Sequence, residues 1–234
     1  MGDFKGMIIN GFQKLTLLDF PGRTAAIIFT AGCDLRCPFC HNAPLVSRIR
    51  LDERLDEGEI FAYLEKRKGL LDGVVVSGGE PLLQKDIDAF LGRVKALGYA
   101  VKLDTNGSSP DALSRVIEAG LVDYVAMDIK NAPALYSVTT GIDALDITPF
   151  ERSKNLLLSG VVDYEFRTTV TAELHTPLGI AAAAEWIKGA KRYFLQNFKD
   201  SGDIVGEGMT PHSAEMLEKM RLAAEPYVPS VHVR

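Results

Sequence analysis

Six short apolar runs punctuate the chain: Ala25 to Thr30, Gly73 to Ser77, Ala100 to Leu103, Tyr124 to Met127, Tyr164 to Val170 and Tyr193 to Phe198. Runs of this length, rich in β-branched and aromatic residues, read as strands buried on both faces. Between them lie segments with apolar residues at three- and four-residue spacing, such as EIFAYLEKRKGLL, IDAFLGRVKALG, DALSRVIEAG and LGIAAAAEWIKGA. That spacing predicts amphipathic helices, and several of them close on glycine as helices do. Strand and helix in alternation imply an α/β fold with a parallel sheet and right-handed crossovers. Six such units fall short of the eight of a closed barrel, which leaves an open six-unit barrel or a doubly wound sheet. Ahead of the first run, MIINGFQKLTLLDFPGRT reads as a hairpin with its turn near Asn10 and Gly11. The expected organisation is one domain over 1–234, with a hairpin extension at 1–24, a core at 25–200 and a C-terminal extension at 201–234. The charged stretch RIRLDERLDEGE at 48–59 reads as a solvated loop.

Composition changes this picture little. A chain of 234 residues, 47% hydrophobic and 24% charged, can bury a core without disulfide or metal staples. No apolar run approaches the roughly 18 residues of a membrane span, and no basic-then-apolar leader precedes Met7. The expectation is therefore a cytoplasmic protein with no membrane partner. A net charge of -5 argues against a broad nucleic-acid surface, and no nucleic-acid partner is expected.

The cysteines change it a great deal. The chain has three, all inside AGCDLRCPFCHN: Cys33, Cys37 and Cys40. An odd number in a reducing compartment disfavours a disulfide framework and favours metal or redox chemistry. The loop follows the first core strand, at the end of the sheet where active sites of parallel α/β folds gather. A zinc site would need His41 as its fourth ligand, but adjacent side chains at Cys40 and His41 diverge. An iron-sulfur cubane is larger, and three thiolates can hold it while one iron stays free of protein ligands.

The spacing C-x3-C-x2-C, with the aromatic Phe39 before its last cysteine, resembles the cluster loop of radical S-adenosylmethionine (SAM) enzymes. Further motifs and single positions follow in order. SGGEP at Ser77 to Pro81 resembles the glycine-glycine-glutamate motif that binds the methionine amino group, implicating Gly78, Gly79 and Glu80. DTNG at Asp104 to Gly107, with Asn106, and MDIK at Met127 to Lys130, with Asp128 and Lys130, resemble cofactor-lining motifs of the glycyl-radical-enzyme activating branch. Arg167 in EFRTTV matches a basic cofactor contact of that branch, and Phe198 falls where it has an adenine contact.

The resemblance implies an open partial (β/α)6 barrel with parallel strands after a short β-hairpin, a 4Fe-4S cluster on Cys33, Cys37 and Cys40, and SAM as cofactor. It also implies a monovalent cation near Asp104 and Asp128. The activity implied is reductive cleavage of SAM to a 5′-deoxyadenosyl radical, which generates a glycyl radical on a partner. CPFCHN and the upstream GFQKLTLLDFPGRTAAIIFTAGC point to an anaerobic ribonucleotide reductase as that partner, with pyruvate formate-lyase the alternative. Flavodoxin or ferredoxin is implied as electron donor. No side chain is needed as a general base, so His41, His175, His212 and His232 are expected to be structural or exposed. Two other readings stand beside this one: a small-molecule radical enzyme such as 7-carboxy-7-deazaguanine synthase, and a zinc-stabilised binding protein.

Overall fold

The computed structural model describes residues 6–234, so residues 1–5 of the expected hairpin extension lie outside it. Eight strands form one sheet in chain order: β1 Ile9–Thr16, β2 Ala25–Thr30, β3 Gly73–Gly78, β4 Ala100–Thr105, β5 Tyr124–Asp128, β6 Asp163–Val170, β7 Tyr193–Asn197 and β8 Val231–Val233. β1 runs antiparallel to β2, and every later neighbour is parallel. The connections carry helices α1 Ala43–Val46, α2 Glu57–Lys66, α3 Ile87–Ala96, α4 Pro110–Glu118, α5 Tyr136–Thr140, α6 Thr148–Leu158, α7 Pro177–Trp186 and α8 Ala214–Ala224. This is the expected open barrel: β1 and β8 are its two edges, and the six predicted strands are β2 to β7.

Local chemistry explains the helix starts. Asp56, Thr176 and Ser213 each accept a hydrogen bond from the backbone N–H three residues on, which caps α2, α7 and α8. Proline opens α4 and α7, where its missing N–H costs nothing.

Side chains alternate between the two faces of the sheet. The outer face carries Ile28, Val74, Val76, Val101, Leu103, Val125, Phe166 and Leu195 into the main core beneath the helices. The inner face holds a second, smaller cluster of Phe20, Ala25, Ile27, Val75 and Tyr124 at the N-terminal end of the barrel.

Two details differ from expectation. Asn10 and Gly11 lie inside β1 rather than at a turn, and the chain reverses at 17–24, so the hairpin's second arm is β2 itself. Asn-Gly marks a register shift in the β1–β2 ladder, a bulge signal rather than a turn signal. The C-terminal extension also supplies α8 and a seventh parallel strand, β8, which is three residues long.

Candidate functional site

At the C-terminal ends of the parallel strands lies a cavity of about 360 Å³. Its wall brings together Cys33, Cys37, Phe39 and Cys40 from the loop after β2, and Gly78 and Gly79 from the end of β3. The ends of β4 and β5 add Asp104, Asn106, Asp128 and Lys130, and β6 adds Arg167. These residues are far apart in sequence, and the parallel register brings them together: Thr30 pairs with Gly78, and Asp128 with Arg167.

The glycine pair is sterically required. Gly78 has φ of 121°, and a Cβ there would lie 2.3 Å from the Thr30 backbone. One on Gly79 would lie 2.0 Å from the Gly32 carbonyl oxygen. The β3 turn and the cysteine loop therefore touch backbone to backbone, which only glycine permits. Asn42 adds a tie, its amide Nδ2 donating to the Gly78 carbonyl at 2.8 Å.

Two expected contacts sit elsewhere. Glu80 is fully buried behind the wall, where its carboxylate accepts from Leu82 N–H at 3.1 Å, Thr105 Oγ1 at 2.8 Å and Asn106 N–H at 2.7 Å. Burial pushes this carboxyl up to about 7 against the pull of those three donors. Phe198 is also fully buried, and the His41 ring stacks on it with centroids 5.1 Å apart. His41 is exposed, as expected, and is the ring of that pair that lines the cavity.

The charged residues form one network. Arg167 bridges the two carboxylates, reaching Asp104 at 3.2 Å and Asp128 at 2.9 Å. Lys102 pairs with Asp104, and Lys130 with Asp128 at 2.9 Å. Burial opposes the charge on Asp128, but Lys130 and Arg167 outweigh it and hold its pKa down to about 2. Burial also opposes the charge on Lys130, and the Asp128 carboxylate overcomes it, so the ammonium is retained. Three cations against two carboxylates leave the network with one positive charge in excess.

The thiols behave differently. Burial pushes Cys33 up to about 12 and Cys37 up to about 11, so neither ionises alone at neutral pH. Cys33 Sγ nevertheless faces donors, the Leu35 N–H at 3.4 Å and the Asn106 amide at 3.8 Å. Soft ligands, with N–H groups aimed at the Cys33 sulfur, suit an iron-sulfur group, whose iron would ionise the thiols and whose potential such bonds tune. Among the described residues no three His, Cys, Asp or Glu side chains are grouped to hold a single metal ion. The donor set fits an iron-sulfur cluster.

Comparison with known proteins agrees with this geometry. The family model for the radical SAM superfamily matches residues 27–143. A Methanocaldococcus jannaschii protein provisionally assigned as a glycyl-radical enzyme activating enzyme is 30% identical over 233 residues, covering 97% of this chain and 95% of its own. The pyruvate formate-lyase-activating enzyme of Listeria monocytogenes is 33% identical over 162 residues, 62% of this chain and 64% of that one. Among solved structures, Streptococcus suis SuiB superposes with a TM-score of 0.68 at 14% identity, over 87% of this chain and 47% of SuiB, which speaks to the fold alone. No helix among the described residues is long and apolar enough to cross a membrane. A relative aligned nearly end to end and a family match that spans the thiol loop lead to one conclusion: the chain is an enzyme of the radical SAM superfamily.

Proposed function

We propose that this enzyme cleaves SAM reductively and uses the product radical to place a glycyl radical on a partner protein. The observation that carries the reading is the single cavity on which three thiols, a glycine pair and an Asp-Lys-Arg network converge. Cys33, Cys37 and Cys40 would hold a 4Fe-4S cluster. When bound, that group supplies the electron that breaks SAM into methionine and a 5′-deoxyadenosyl radical able to take a hydrogen atom from glycine.

The chain's own residues bind, orient and shield. Gly78 and Gly79 let the backbone come close to the methionine end of SAM. The excess positive charge of the Lys102, Lys130 and Arg167 set suits its carboxylate, while Asp104 and Asp128 offer acceptors for an ammonium or ribose hydroxyls. Glu80 serves from behind, fixing the Asn106 backbone whose side chain reaches Cys33. Phe39 walls the cavity, and His41 backed by Phe198 offers a flat face to adenine. A monovalent cation at Asp104 and Asp128 would share carboxylates that already hold protein cations.

The names of the archaeal and Listeria relatives support a glycyl radical enzyme as partner. Within that class, CPFCHN and the β1–β2 segment favour an anaerobic ribonucleotide reductase, with flavodoxin or ferredoxin as donor. The test is anaerobic reconstitution with iron and sulfide, then dithionite and SAM, with 5′-deoxyadenosine measured by chromatography. Either candidate partner is then added and the glycyl radical read by electron paramagnetic resonance (EPR). Deoxyadenosine, with the radical on the reductase, is expected. A radical on pyruvate formate-lyase alone would reassign the partner, and an intact cluster with no deoxyadenosine would sink the reading.

A further inference from the structure

Lys130 lies two residues past the end of β5, where the regular ladder has stopped. The last backbone bond from that end is Ile129 N–H to the Arg167 carbonyl at 2.7 Å. Beyond it, two side chains take over the work of a neighbouring strand. The Lys130 N–H donates to Tyr136 Oη at 3.2 Å, and its carbonyl faces His175 Nε2 at 2.9 Å. Tyr136 and His175 are each 1% exposed, so water does not compete for these bonds.

The His175 ring has one orientation open to it. Its Nδ1 meets the Thr171 backbone N–H at 3.1 Å, and an N–H only donates. Nδ1 is therefore the acceptor, and Nε2 carries the proton given to the Lys130 carbonyl. The ring edge also packs on Phe39, with centroids 5.9 Å apart. Its own backbone is anchored: the His175 carbonyl meets His212 Nε2 at 3.1 Å, and the His175 N–H donates to the Thr171 carbonyl at 3.1 Å.

We propose that His175 is a positioning residue for Lys130 in SAM binding, a role that rests on the functional reading above. Lysine keeps four rotatable bonds, so the place of its ammonium depends on how firmly its backbone is held. With both backbone groups clamped, Nζ sits 2.9 Å from Asp128 Oδ2 at the wall of the cavity that the cysteine loop also lines. His175 thus connects the loop after β6 to the charge on the cavity wall and, through Phe39, to the cluster loop.

Two substitutions separate positioning from mere packing. His175→Gln keeps an amide donor long enough to reach the Lys130 carbonyl. His175→Asn keeps an acceptor for the Thr171 N–H and falls short of Lys130. The full chain is reconstituted anaerobically and its SAM dissociation constant measured by calorimetry, with iron and sulfide content as the control. Positioning through Lys130 predicts that Gln stays within about threefold of wild type while Asn weakens binding about tenfold or more, the range for supporting partners of bound groups. Asn binding as wild type, or Gln binding no better than Asn, overturns it. Should both variants lose the cluster, Tyr136→Phe opens the same clamp from the N–H side and must weaken SAM binding; an unchanged constant there overturns the proposal. Wild-type protein that binds no SAM would be a failure of the functional reading, visible before any variant is made.

Discussion

The two ends of the barrel interior are built by the same strands and have opposite chemistry. Along β3 the inner face passes from Val75 to Ser77, along β4 from Ala100 through Lys102 to Asp104, and along β5 from Tyr124 through Ala126 to Asp128. The floor is apolar and closed by Phe20, whose ring lies 6.1 Å from that of Tyr124. The mouth is ionic, and among the described residues its three thiols form no disulfide. Between them lies a paired layer, where buried Glu165 meets Tyr124 Oη at 2.9 Å and Arg234 at 3.1 Å. The floor stabilises the fold chiefly through burial, whereas the mouth takes its meaning from what it binds. Stability and chemistry should therefore respond to different substitutions.

The largest expected effect lies at the mouth. Cys37→Ala removes one of the three proposed cluster ligands, so iron content should collapse and 5′-deoxyadenosine fall to background, while far-ultraviolet circular dichroism of the apo chain stays unchanged. Turnover at the wild-type rate would break the comparison, since Cys37 would then be no more than a buried small residue. At the floor, Phe20→Ala deletes a ring that is 3% exposed. Denaturant unfolding of the apo chain should show a loss of about 3–5 kcal/mol. The SAM dissociation constant of the reconstituted variant should move less than about threefold. A loss of SAM affinity to match the loss of stability would mean that floor and mouth are mechanically one unit.

The outer face of the sheet was the most legible part of the sequence, because continuous runs such as GVVVS admit few other placements. The thiol loop was legible for a different reason: no packing demand puts three cysteines within eight positions. What escaped were features that depend on the third dimension. Val231–Val233 is too short to announce a strand, and becomes one by pairing with β7. Asn10 and Gly11 carry a turn's composition and serve a bulge. Glu80 follows a glycine pair whose φ and close contacts turn the chain, and its carboxylate ends among backbone donors rather than in the cavity. His41 lines the cavity because Phe198 lies behind it. His175 lies 45 residues from the Lys130 carbonyl it meets, a separation across which sequence spacing carries no signal.

The smallest expected effect concerns the support behind the mouth, where two titrations oppose each other in the apo chain. Burial holds folded His175 neutral down to about pH 4, against 6.5 for a free imidazole. Between those values the unfolded chain binds the extra proton, so this residue's contribution is full above 6.5 and is lost as pH falls, by about 3 kcal/mol in all. Glu80 acts with the opposite sign. Its folded carboxyl titrates at about 7 against 4.5, so the folded state binds the extra proton in that window and stability falls as pH rises through it. In the wild type these two contributions oppose each other where their windows overlap. His175→Asn removes the imidazole and leaves Glu80 in place. The stability gap between wild type and this variant should therefore shrink by about 2–3 kcal/mol from pH 7 to pH 4.5, measured by urea unfolding at each pH. A gap that stays constant would mean that the ring accepts a proton without leaving its place, and that the Lys130 carbonyl is held by something other than a neutral imidazole.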